Sequence, residues 1–173
     1  MAAEEEAAVA DLAGAVDGPE VEERADHGKR IMVSIDKDRI RQAIQRAERR
    51  TSGEIRVSVS PLFWGDVRKA AEKAFERLGM TATKDRNAVL FFVVPARRKF
   101  VVLGDSGIHQ KVGQEFWHHI VRTVSGKFEQ RDFTGGIVAG IEAVGEDLAR
   151  HFPAHAASDT NELPDDVDYG PGS

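Results

Sequence analysis

The 173-residue chain has no cysteine, one tyrosine, two tryptophans and six prolines. Without cysteine there is no disulfide framework, no thiolate zinc site and no cysteine nucleophile. No stretch approaches the roughly 18 apolar residues that span a bilayer; the longest apolar run, residues 88–94, has strand length. The opening MAAEEEAAVADLAGAVDG lacks the basic segment and apolar centre of a secretory leader, so a cytoplasmic location is expected. Also missing are the phosphate-loop GxxxxGKS/T, the dinucleotide GxGxxG, the esterase GxSxG and the zinc-protease HExxH. Gly104-Asp105-Ser106-Gly107 copies the letters around a trypsin-like serine, but a helix-rich chain without cysteines or a fitting His/Asp order excludes that reading. There is no specific nucleic-acid motif and no internal repeat.

What is present is a strongly partitioned charge. The net −5 hides an N-terminal stretch, residues 1–26, with nine acids and one base, and a C-terminal stretch, residues 158–173, with five acids and no base. The residues between them hold 23 bases and 15 acids. A basic globular core therefore sits between two acidic ends. The ends either stay solvated, or fold over the basic face and screen it; otherwise the core meets an anionic surface.

The pattern divides the chain into an acidic, mostly disordered segment over 1–33, an α/β domain over 34–153 and an acidic flexible tail over 154–173. A short Ala-rich helix fits around residues 4–12 before Gly14 and Gly18-Pro19 break it. Ile40, Ala43, Ile44 and Ala47 recur at helical spacing and predict a first helix over 36–52, capped by Ser34 or Asp36. EIRVSVS, residues 54–60, alternates as a strand does. Phe63 and Trp64 follow in a loop, where core packing is favoured over a partner. A second helix is predicted over 66–78, with Asp66 as cap and Gly79 as stop.

AVLFFVV, residues 88–94, has no polar alternation and suits an internal strand covered on both faces. The turn Pro95-Ala96-Arg97-Arg98 returns the chain antiparallel through residues 100–103. The strand at 54–60 reaches residues 88–94 through a helix and so pairs with them in parallel, with a right-handed crossover. Helices over 112–127 and from 133 or 135 to 151 complete the domain. Gly136, Gly140 and Gly145 in the last helix imply close packing on the sheet or the third helix. The fold class expected is a three-layer α/β/α sandwich around a small mixed sheet with a β-α-β-β core.

Chemistry-bearing residues gather at one end of this arrangement. Residues 84–87 enter the internal strand where residues 104–109 leave its antiparallel neighbour. Asp85, Asn87, Asp105 and His109, with Glu54 at the same edge, are the candidate ligands for a cation, and Arg86 the candidate for phosphate or another anion. The alternative is a turn built by Gly104, Asp105 and Gly107. His118 and His119 are adjacent on a helix, point about 100° apart and are expected on the surface.

Several segments resemble the TPM domain family in the right order: AIQRAE then TSGEIRVSVS; KAFERLGMTATKDRNAVLFFVVPARRKFVVLGDSGIH; VGQEFW; and FTGGIVAGIEAVGEDLARHFP followed by NELPD. The match covers about residues 40–165 and is most similar to a short bacterial branch without membrane helices. The resemblance implies the α/β/α sandwich. It also implies a range of activities, since some TPM domains are acid phosphatases, some bind divalent cations such as calcium, and some are accessories to membrane proteins or work in photosystem repair. Longer members carry a Gly-Tyr-Gly-Leu-Glu type segment after the hairpin. Here that place reads Gly104-Asp105-Ser106-Gly107-Ile108-His109, without the glutamate but with Asp105 nearby. Three functions are expected in turn: a binding or accessory module for a protein partner, membrane-associated in the manner of the family; a phosphatase dependent on calcium or magnesium; and a binder of anionic surfaces.

Overall fold

The computed structural model describes residues 8–11, 35–155 and 160–171. Helix α1, Lys37–Glu48, starts where extended Asp36 accepts the Arg39 N–H at 3.0 Å. It buries Ile40, Ala43, Ile44 and Ala47. It ends before the expected residue 52 because the chain beyond it is used elsewhere: the Thr51 hydroxyl donates to the Phe152 carbonyl at 2.5 Å, and Thr51 bridges to Pro153. The Ser34 cap lies outside the described residues.

Strand β2, Glu54–Val59, runs parallel to β3, Ala88–Val94, and β3 runs antiparallel to β4, Lys99–Gly104. Helix α2, Val67–Arg77, makes the β2–β3 crossover; Asp66 caps it and Gly79, at φ 70°, ends it. One strand was not anticipated: β1, Ala8–Asp11, lies antiparallel on β4, so the sheet order is β1-β4-β3-β2. The expected N-terminal helix is thus a strand over residues 8–11; the rest of residues 1–34 lie outside the described part. Alanine favours helix, but a stretch this short holds none by itself. The unpaired edge of β4 supplies the hydrogen bonds that decide the matter.

Each face of the sheet takes a helical layer. Val57, Phe91, Phe100 and Val102 belong to the larger core with α1, α3 (Gln114–Glu129) and α4 (Phe133–His151). Leu90, Phe92, Val101 and Leu103 meet Ala71, Ala74 and Phe75 of α2 on the other face. This is the three-layer α/β/α sandwich expected from the sequence. The glycines of α4 do what their spacing implies. A Cβ at Gly140 would lie 2.7 Å from Val124 and 2.8 Å from Phe91, and one at Gly136 would lie 2.6 Å from Phe128. Gly145 allows the same approach to Ala47 of α1, at 2.7 Å.

The acidic C-terminus, expected as a flexible tail, runs along the β2 edge over its described residues 160–171. The Asp168 N–H donates to the Val57 carbonyl at 2.9 Å, and its own carbonyl accepts the Val59 N–H at 2.8 Å. Leu163 packs on the α2-side core, and Val167 and Tyr169 on the other. The cause lies in β2. Glu54, Arg56 and Ser58 are buried on the α2 side of an edge strand and need polar partners there.

Candidate functional site

The two loops at the entry to β3 do meet, and they meet through a salt bridge. Asp105 follows β4 and is 1% exposed. Its carboxylate accepts from Arg86 Nε at 2.5 Å and Arg86 Nη2 at 2.7 Å, and from the Ser106 N–H at 2.7 Å. It thereby caps a single helical turn, Ser106–His109. Arg86 holds a left-handed backbone, φ 50°, and its carbonyl accepts the Gly107 N–H at 2.9 Å. A Cβ at residue 107 would stand 2.3 Å from the Asp85 carbonyl oxygen, so only glycine fits this crossing.

The other expected ligands are placed differently. Asp85 is exposed. Asn87, 1% exposed, donates to the Ser52 hydroxyl at 3.3 Å, and its Oδ1 is buried without a hydrogen-bond partner. His109 lies against Trp117, ring centroids 5.2 Å apart, with its Nε2 buried and unpartnered. Glu54 turns to the C-terminal segment and accepts the Glu162 N–H at 2.8 Å; burial raises its pKa. Among the described residues, no three His, Asp or Glu side chains are grouped so as to hold a metal ion. The expected donors therefore do not fit a calcium or magnesium cradle as they stand, and Arg86 faces Asp105 rather than an open anion site. His118 and His119 are exposed, as expected.

A second polar cluster lines the β2 edge, and sequence reasoning missed it. The Asp168 carboxylate takes Arg77 Nη1 at 3.0 Å and Nη2 at 2.6 Å, and the Ser58 hydroxyl at 2.6 Å. Burial alone would raise its pKa; the bonds from Arg77 and Ser58 outweigh that and hold it below the ordinary aspartate range. Burial lowers the pKa of neighbouring Arg56. Glu48 is pushed up to about 9 by burial and by the nearby charges of Glu54 and Asp165, although its Oε1 accepts the Ile55 N–H at 2.9 Å. The signal was available: Leu163, Val167 and Tyr169 are apolar residues spaced through an otherwise acidic stretch.

The opposite end of the sheet carries the loop of residues 60–66. Phe63 is half-buried against the α2-side core, but Trp64 is 60% exposed and Leu62 48%. The core packing expected for both aromatics holds for Phe63 alone. The residue that braces the loop is Arg97, from the one-turn helix Pro95–Arg97; its Nη1 donates to the Gly65 carbonyl at 2.7 Å and the Phe63 carbonyl at 3.4 Å.

Comparison with known proteins agrees with this architecture. The TPM domain profile matches residues 29–147. The solution structure of BA42 from the psychrophilic bacterium Bizionia argentinensis is similar at 38% identity and a TM-score of 0.73, over 78% of this chain and 92% of that one. The N-terminal domain of cg2496 from Corynebacterium glutamicum is 13% identical with a TM-score of 0.44, over 91% of this chain and 85% of that one. No curated protein is significantly similar. No helix among the described residues is long and apolar enough to cross a membrane. By the span of the profile and by the likeness to BA42, this chain belongs to the TPM domain family.

Proposed function

We propose that this TPM domain is a binding or accessory module rather than a hydrolase, and that its partner is membrane-associated. The observation that carries the reading is the closure of Asp105. Both its oxygens already accept hydrogen bonds from Arg86 or the Ser106 N–H. A carboxylate so engaged cannot also coordinate a cation or activate water without breaking a buried, charge-assisted pair. What the molecule offers to its surroundings is Leu62 and Trp64, held out on a braced loop beside a basic turn.

The competing reading is a calcium- or magnesium-dependent phosphatase using Asp85, Asn87 and Asp105, with Arg86 on the phosphate. Assay of p-nitrophenyl phosphate with either cation at millimolar concentration separates the two. The expected result is no turnover above buffer, for the parent and for Asp105→Asn alike. Turnover in the parent that disappears in Asp105→Asn would overturn the proposal and restore the metal site.

A further inference from the structure

Among the described residues, Leu62 and Trp64 are the exposed large apolar side chains. Their loop is anchored from behind by Phe63 in the core and by the Arg97 guanidinium on two of its carbonyls. Exposed side chains on a loose loop would have little consequence. Here the backbone is fixed, and two apolar side chains at i and i+2 are presented to solvent together.

Their surroundings are cationic. Arg97, Arg98 and Lys99 follow from the hairpin at this end, and Arg68 and Lys69 from the first turns of α2. The acids here are Asp66, which caps α2, Glu72, paired with Arg68 at 3.2 Å, and Asp11, in register with Lys99. Among the described residues of these segments cations outnumber acids five to three, and Asp168, at the nearby end of β2, is paired with Arg77. Two side chains fall far short of the roughly 800 Å² that each partner contributes to a stable protein interface. Adsorption to a bilayer needs less: a tryptophan is favoured at headgroup depth, and each nearby Lys or Arg gains from anionic lipid.

We infer that this end of the domain docks on an anionic bilayer surface, with Leu62 and Trp64 entering the headgroup layer and the 97–99 turn lying over the lipid phosphates. The inference rests on the binding-module reading and names the surface that the module meets.

Sedimentation of the full chain with vesicles tests it, using phosphatidylcholine alone and phosphatidylcholine with about 30 mol % phosphatidylglycerol. Binding to the anionic vesicles is expected at about 0.05 M salt and is expected to fall steeply by about 0.5 M. The double variant Leu62→Ser/Trp64→Ser is expected to bind at least ~10-fold more weakly, as neutral vesicles do. Both substituted residues are exposed, so its melting temperature should equal the parent's. Tryptophan emission gives a second readout: Trp117 is 2% exposed, so a blue shift on adding vesicles reports Trp64. Absence of binding to anionic vesicles, or binding unchanged in the double variant, would overturn the inference. So would a purified protein partner lost in that variant when vesicles never bind, since the surface would then serve a protein. A phosphatase result would strike the module reading and leave the vesicle result standing, so the two failures are distinguishable.

Discussion

At the scale of single residues, Asp105 and Gly107 show how the same letters can serve a turn. The bidentate Arg86 pair and the Ser106 cap fix the exit of β4 against the entry of β3. Asn in place of Asp105 keeps the cap but loses the charge-assisted pair with a half-exposed arginine. A loss of about 1–2 kcal/mol is expected. Gly107→Ala has no such latitude, because its Cβ would meet backbone carbonyls at 2.3 and 2.6 Å. It should cost more, about 3 kcal/mol, since backbone rather than a flexible side chain must move. Urea unfolding of the two variants checks the order. A Gly107→Ala protein as stable as the parent would mean that the two loops are not locked together as described.

At the scale of elements, the β2 edge and the C-terminal segment form a unit. An edge strand with a buried polar row is both an unsatisfied surface and a template for association. Residues 160–171 cover the edge with one backbone pair at Asp168, with the Asp168 carboxylate on Ser58 and Arg77, and with the Glu162 N–H on Glu54, and leave Arg56 Nε and Glu54 Oε2 buried without a hydrogen bond. A chain ending at residue 159 should melt at lower temperature and associate in a concentration-dependent way; Asp168→Ala should be milder, about 1–2 kcal/mol. Calorimetry and sedimentation velocity measure both, and a truncated chain that melts as the full one does would show the segment to be dispensable. The same unit marks where sequence reading stopped. Residues 88–94 were legible to the residue, since a continuous apolar run between a connector and a tight turn fits few alternatives. The α4 glycines were legible because their spacing puts them on packed faces. Strand β1 was not, because its conformation is decided by the strand edge it covers and not by its own propensities, and the C-terminal segment showed only as Leu163, Val167 and Tyr169, which mark a packed segment without saying which edge it covers. At the candidate site, the meeting of residues 84–87 with 104–109 followed from topology. That Arg86 would close on Asp105 depends on its left-handed backbone, φ 50°, which no composition rule requires of an arginine.

At the scale of the whole molecule, these carboxyls set how stability varies with pH. Glu48 has an ordinary value of 4.5 when unfolded and about 9 when folded, and Glu54 is raised by burial as well. Below pH 4.5 both states are protonated at Glu48 and its contribution is complete. As pH rises from there toward 9, the unfolded chain gives up a proton that the folded one keeps, so stability falls throughout that window. Asp168 acts oppositely: its folded value lies below 3.8, so its contribution is present above that pH and is lost as pH drops through the lower folded value. The two together place the most stable condition near pH 4–5, with a decline on the alkaline side. Glu48→Gln should remove most of that decline. Its carbonyl oxygen still accepts the Ile55 N–H, and its amide carries no charge to repel Glu54 and Asp165. Thermal melts from pH 4 to 9 should show the parent losing several degrees above pH 5, at roughly 2–4 °C per kcal/mol for a chain of this size. The Gln variant should decline less over the same range, the remainder belonging to Glu54, and should be more stable than the parent at pH 8. A parent that stabilises steadily toward pH 9, or a Gln variant with the parent's slope, would show that Glu48 is ionised in the folded protein and that the C-terminal segment rests on its other contacts.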